Sequence, residues 1–219
     1  MEILLDTIHL ELDKKSILTD INGRFTSGKI YGLRGKNGSG KTMLLRILAG
    51  LVIPTEGIVM IDNKILHKDI SFPESVGVLI ENPGLLGEFS GLENLKMIAS
   101  IKNVIHEADC KRIMSDLLLD PEDNKKVKKY SLGMRQKLGI AMALMEDPEI
   151  ILLDEPLNGL DEKSEKIVIE MLLEEKEKGK LIIVASHEKE ELEYLSDEMI
   201  EIKAGEIVQK KETVKIKSE

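Results

Sequence analysis

Three stretches of this sequence bring together residue types that act on phosphate. GKNGSGKT, Gly35 to Thr42, fits the pattern G-x-x-x-x-G-K-[ST], after a predicted strand and before a predicted helix. Gly35, Gly38 and Gly40 free the backbone to wrap, so that successive N–H groups point inward around an anion, with Lys36, Asn37 and Ser39 completing the loop. The helix that opens at Lys41, Thr42 and Met43 adds its positive end. Lys41 reaches the β- and γ-phosphates of a nucleotide, and the Thr42 hydroxyl can ligate Mg²⁺. Taken alone, the same residues also suit a glycine-rich turn that merely joins strand to helix. The second stretch, IILLDEP, Ile150 to Pro156, is an apolar run that leads straight into two acids. Asp154 is expected to orient Mg²⁺, directly or through a water, and Glu155 to polarise the water that attacks the γ-phosphate.

The third stretch is SVGVLIENPGLL, Ser75 to Leu86. Val76, Val78, Leu79 and Ile80 suit a covered strand, and Glu81 follows, before the turn residues Asn82, Pro83 and Gly84. An unpaired buried carboxylate costs several kcal/mol or takes up a proton. Glu81 at a strand end is therefore expected to be buried with a partner, for which the rest of the chain suggests a metal; the alternative is a carboxylate that points to solvent from the turn.

Holding these groups together asks for alternating strands and helices. The first thirty residues read as β-structure, with INGR and SGK as turn signals. KIYGLRGKNGSGKTMLLRILAGL runs strand, loop, helix. GIVMIDNKIL is a strand pair. From Gly84 to Tyr130 the periodicity is helical, and SLGMRQKLGIAMALMED continues as a helix with Met134, Leu138, Met142 and Met145 on one face. A strand at PEIILLDEP, a helix from about Glu162 to Lys178, a strand at KLIIVASH and a hairpin turning at Ala204–Gly205 complete the pattern. The order implies an α/β fold built on βαβ units around a mostly parallel sheet.

Composition narrows the function. At 219 residues the chain can bury one sizeable core. Its net charge of −9 argues against a nucleic-acid binder. A single cysteine, Cys110, excludes a disulfide framework and fits a reducing compartment. No apolar run approaches the ~20 residues that span a bilayer, so the chain is expected to be soluble when alone.

From about Glu2 to Lys210 the sequence resembles the ATP-binding subunits of ABC transporters. The resemblance rests on GKNGSGKT, YSLGMRQKL, IILLDEP, LNGLD and SH at Ser186–His187, in that order. It implies a P-loop NTPase fold in one domain, 1–219, with an N-terminal antiparallel β sub-domain and an inserted helical sub-domain at about 84–134. Ser131, Leu132, Gly133 and Met134 sit where the family's signature motif sits, which contacts the γ-phosphate bound by a partner subunit. Leu132 and Met134 depart from the commonest signature; Ser131 and Gly133 are retained. Asp161 takes the place of the residue that communicates across the dimer, and His187 that of the switch histidine. Glu81 stands where most of the family has glutamine, facing Mg²⁺ in a loop that also touches the membrane partner. ENPGLLGEFSGLENL and YSLGMRQKL resemble the bacitracin-resistance and lantibiotic-immunity subgroup. The family usually stacks adenine on an aromatic residue near the position of Leu12, and HLELDKKSIL contains none.

The implied function is Mg²⁺-dependent ATP hydrolysis, with Glu155, His187 and Lys41 catalytic and Thr42, Glu81 and Asp154 on the metal. The implied partners are an integral membrane permease and a second ATP-binding subunit, head to tail, on the inner face of the cell membrane. Export of a peptide antibiotic or drug follows from the subgroup. A soluble ABC ATPase of a non-transport assembly system is the alternative.

Overall fold

The computed structural model describes residues 1–213. Strands β1 (Glu2–Leu12) and β2 (Lys15–Thr26) form a long hairpin turned by Asp13 and Lys14, both at positive φ. Ile3, Leu5, Ile8 and Leu10 of β1 and Leu18, Ile21 and Phe25 of β2 are buried, as alternation requires of a sheet covered on one face. Strand β3 (Lys29–Arg34) passes to a second sheet and leads into helix α1 (Lys41–Leu48). Gly50 ends that helix at positive φ: its N–H donates to Ile47 and the Leu51 N–H to Arg46, which satisfies two terminal carbonyls. Strands β4 (Glu56–Ile61) and β5 (Lys64–Ile65) return to the hairpin.

Strand β6 (Val76–Leu79) comes next. Helices α2 (Gly91–Lys102), α3 (Glu107–Asp116) and α4 (Leu132–Leu144) then precede β7 (Ile150–Asp154). Helix α5 (Glu162–Glu177), strand β8 (Leu181–Ser186), the short helix α6 (Lys189–Leu195) and the hairpin of β9 (Glu198–Lys203) and β10 (Glu206–Glu212) follow. Lys210 to Glu212 pair with β9 and are exposed; Val214 to Glu219, the rest of the charged C-terminal KKETVKIKSE that its composition leads one to expect solvated or frayed, lie outside the described residues.

Two sheets result. One is antiparallel, in the order β2-β1-β4-β5; the other runs β10-β9-β3-β8-β7-β6, parallel except at the β10 edge. Every residue of β7 and β8 is buried, which explains their unbroken apolar runs. One core packs the second sheet against α1 and the antiparallel sheet. The other packs its opposite face against the helices between β6 and β7 and against α5. Met134 and Met142 pack half-buried against that second core beside buried Leu138 and Met145, so these methionines serve as filling.

The burial expected for Glu81 is not found. Strand β6 ends at Leu79, and Glu81 lies beyond it at φ 57 with 56% of its side chain exposed. Its partner is the Arg46 guanidinium of α1 at 2.9 Å. A chain that leaves the sheet at Ile80 turns this carboxylate outward, so no buried charge needs relief there. The loop beyond is held by buried Asn94, which accepts from the Leu86 N–H at 2.7 Å and donates to the Ser90 carbonyl at 2.8 Å. Ser90 and Glu93 cap α2 reciprocally.

Candidate functional site

The phosphate loop lies between β3 and α1, at the carboxyl end of the parallel strands. Gly40 begins α1 at φ 109, and a Cβ there would stand 2.6 Å from Leu18 Cδ2. A Cβ on Gly35 would stand 2.4 Å from the Ile202 carbonyl. Only glycine lets the loop sit this close to β2 and β9. Lys36, Asn37 and Gly38 are exposed at the tip, Met43 is half-buried, and Ser39 is buried with an unpartnered hydroxyl. That orphaned hydroxyl and the exposed tip suit a polar ligand that is a rich acceptor.

Lys41 is only 5% exposed. Its Nζ donates to the Gly35 carbonyl at 2.6 Å and lies 3.8 Å from Glu155 Oε1. Thr42 Oγ1 donates to Asp154 Oδ2 at 2.6 Å. Burial pushes the Asp154 carboxyl above its ordinary range, and the charges of Glu155 and Glu81 push the same way. A hydroxyl and a carboxylate in contact, with surplus negative charge around them, make a donor set that suits a hard divalent cation. Among the described residues, no group of three or more His, Cys, Asp or Glu is arranged to hold a metal by itself. Mg²⁺ is compatible with this, since it keeps several waters and uses one or two carboxylates with substrate phosphates.

Glu155 follows β7 at φ 48, with its N–H donating to the Ala185 carbonyl at 2.8 Å. Its Oε1 accepts from the His187 N–H at 3.1 Å, and its Oε2 lies 2.9 Å from His187 Nδ1. The bond to Glu155 raises the His187 pKa above its ordinary value of 6.5. Two further groups that the sequence motifs do not single out, Glu191 and Gln136, join this cluster. Ser186 Oγ lies 3.2 Å from Glu155 Oε2 and 2.9 Å from Glu191 Oε2. Gln136, buried in α4, donates from Nε2 to the carbonyls of Glu155 and Pro156 at 2.8 and 3.1 Å. Gln136 stands between Arg135 and Lys137 in the sequence, so nothing in the local pattern marked it as buried, and nothing marked Glu191.

The signature residues stand apart from this constellation. Ser131 caps α4, accepting from the Met134 N–H at 3.1 Å. Ser131 and Leu132 are exposed; Gly133 and Met134 are half-buried. They line an open cavity of about 460 Å³ together with Lys137, Gly159, Leu160, Asp161 and Ser164. None of the phosphate-loop residues lines it. A Cβ on Gly133 would stand 2.7 Å from the Gly159 carbonyl, so the loop before α5 packs directly on the signature. Asp161 caps α5, accepting from the Ser164 N–H at 2.8 Å, and this bond lowers its pKa. A larger groove, about 680 Å³ and rich in acids, lies between α3 and α5 and contains none of these residues.

Comparison with known proteins places this geometry. The sequence model of the family described as ABC transporter matches residues 18–158. The chain is 47% identical over 197 residues to the uncharacterized ABC transporter ATP-binding protein YybJ of Bacillus subtilis (strain 168), covering 90% of each. It is 33% identical to the bacitracin transport ATP-binding protein BcrA of Enterococcus faecalis, over 95% of this chain and 69% of that one. The lantibiotic transport ATP-binding protein SrtF of Streptococcus pyogenes is 34% identical, over 91% and 86%. The dimeric structure of MJ0796, a bacterial ABC transporter cassette, superposes with a TM-score of 0.87 at 23% identity, over 98% of this chain and all of that one, and so shares the fold. The chain belongs to the ABC transporter family, as one of the ATP-binding subunits whose ATPase activity powers transport.

Proposed function

We propose that this subunit works as a head-to-tail pair in which each phosphate loop is completed by the partner's Ser131 and Gly133. One observation carries the reading. The phosphate-loop face holds its lysine and both acids together, whereas the signature opens on a cavity that the same chain does not fill. ATP would lie on Gly35–Met43, with Lys41 released from the Gly35 carbonyl to the phosphates. Thr42 and Asp154 would hold Mg²⁺, with Glu81 as a further ligand once it leaves Arg46. When bound, the cation neutralises charge on the phosphates. Glu155 would orient and polarise the attacking water, and His187 would fix Glu155 and reach the γ-phosphate. Such catalysis is positioning and electrostatics around a loose transition state.

We further infer that the pair drives a membrane permease from the inner face of the cell membrane. No helix among the described residues is long and apolar enough to cross a membrane, so the span would belong to a partner. The loop from Glu81 to Phe89, with Leu86 and Phe89 exposed, and exposed Leu51, Ile53 and Phe72 supply apolar surface for it. Kinship with the bacitracin and lantibiotic transport proteins supports export of a peptide antibiotic. Nucleic acid is not an expected partner at a net charge of −9. Leu12, at the hairpin tip and 44% exposed, offers adenine an aliphatic rather than an aromatic surface. ATP and GTP should therefore bind with similar affinity; a much tighter Kd for ATP would contradict this.

The deciding experiment is light scattering of Glu155→Gln with and without Mg²⁺ and ATP, beside phosphate release by the wild type. A monomer-to-dimer shift that needs both supports the sandwich. A monomer under all conditions, with ATP binding confirmed separately, refutes self-assembly of the isolated subunit.

A further inference from the structure

Ser186 is fully buried, and its hydroxyl faces three polar groups: the Glu188 N–H at 3.0 Å, Glu191 Oε2 at 2.9 Å and Glu155 Oε2 at 3.2 Å. A hydroxyl has one proton to donate and two lone pairs to accept with. The Glu188 N–H takes one lone pair. One proton and one lone pair remain for two carboxyl groups, so both are satisfied only if one of them donates. Two ionised carboxylates would compete for the single proton and leave one oxygen facing a lone pair.

We propose that Glu191 is a positioning residue for ATP hydrolysis: a neutral carboxylic acid that donates to Ser186 Oγ, so that Ser186 donates to the Glu155 carboxylate and fixes its direction. Partial burial of Glu191 favours the neutral form and outweighs the opposite pull of a bond from the Ser186 hydroxyl. The charged groups that face it, Glu155 after β7, Glu165 on α5 and Glu188 before α6, are all negative and favour it too. Glu155 is then gripped on Oε2 by Ser186 and His187, and on Oε1 by the His187 N–H. As pH rises and Glu191 ionises, it draws the Ser186 proton to itself, and Glu155 loses one of its holds. The inference rests on Glu155 as the water-orienting group, but its structural half can be tested without turnover.

The structural test is infrared spectroscopy of the nucleotide-free protein. The carbonyl stretch of a protonated carboxylic acid is expected in the wild type and should lose the Glu191 contribution in Glu191→Gln; identical spectra would overturn the proposal. The functional test is phosphate release against pH. Glu191→Ala should lower kcat by about tenfold to a hundredfold, with little change in KM for ATP. Glu191→Gln, whose amide donates but cannot ionise, should recover most of that loss and remove the part of the alkaline decline due to Glu191. Ser186→Ala should match Glu191→Ala and make the two Glu191 variants equivalent. A Glu191→Ala enzyme with wild-type kcat, or a Glu191→Gln enzyme no better than Glu191→Ala, would overturn the positioning role. If no variant hydrolyses ATP, the wild type included, the failure lies with the proposed function, and the spectra still decide the state of Glu191.

Discussion

The phosphate loop and the signature both lie at helix N-termini, yet they are built differently. At the phosphate loop the polar groups are joined, from buried Lys41 and Asp154 out to exposed His187: Lys41 to the Gly35 carbonyl, Thr42 to Asp154, Glu155 to His187. At the signature, Ser131 does no more than cap its own helix, beside an open cavity. If the proposed head-to-tail pair holds, one chain carries one prepared half-site and one half-site completed from outside, and assembly would be the step that completes catalysis.

The contrast can be broken at either end. Lys41→Ala should have the largest effect, removing the donor aimed at the transferred phosphate and lowering turnover by about 10²- to 10³-fold, with ATP binding by the monomer weakened as well. Gly133→Ala should lower turnover by about 10²-fold but leave monomer ATP affinity unchanged in calorimetry, because its Cβ meets the Gly159 carbonyl and not the nucleotide. Equal damage to monomer binding by both variants would erase the distinction. Glu81→Gln sharpens a finer point. The Arg46 pair is exposed and worth no more than about 1 kcal/mol, so losing it should leave stability nearly unchanged. The Mg²⁺ dependence of ATP affinity should fall several-fold, and an unaltered dependence would remove Glu81 from the metal. The smallest effect concerns His187, whose pKa is raised by its bond to Glu155. That interaction stabilises the fold fully below the unfolded pKa and is lost as pH rises through the higher folded value. In Glu155→Gln the His187 midpoint, followed by NMR, should drop back toward 6.5.

The order of strands and helices, short α6 apart, was legible because the buried strands carry long apolar runs and the loops carry glycine at forced turns. GKNGSGKT and IILLDEP were legible for the same reason: each puts its chemistry where a pattern of burial ends. Glu81 was misplaced because apolar residues up to Ile80 do not reveal that pairing stops at Leu79. A local pattern also cannot report Arg46, which lies 35 residues earlier. Gln136 and Glu191 escaped for a related reason. Their partners are 19 and 5 residues away, and in each case the contact depends on how a helix packs beside the end of a strand. Asp161 was read for its place in LNGLD, while its visible work is to cap α5.

Gln136 has a mechanical consequence. It ties the helix capped by Ser131 to the backbone carrying Glu155, so the two are expected to move together. In the proposed pair, nucleotide seated on the partner would pull on Ser131, and the same pull would arrive at this chain's own Glu155. The two hydrolysis events in a pair would then not be independent clocks. ATP saturation curves for turnover should be sigmoidal in the wild type and flatten toward a hyperbola in Gln136→Ala, where the tie is cut.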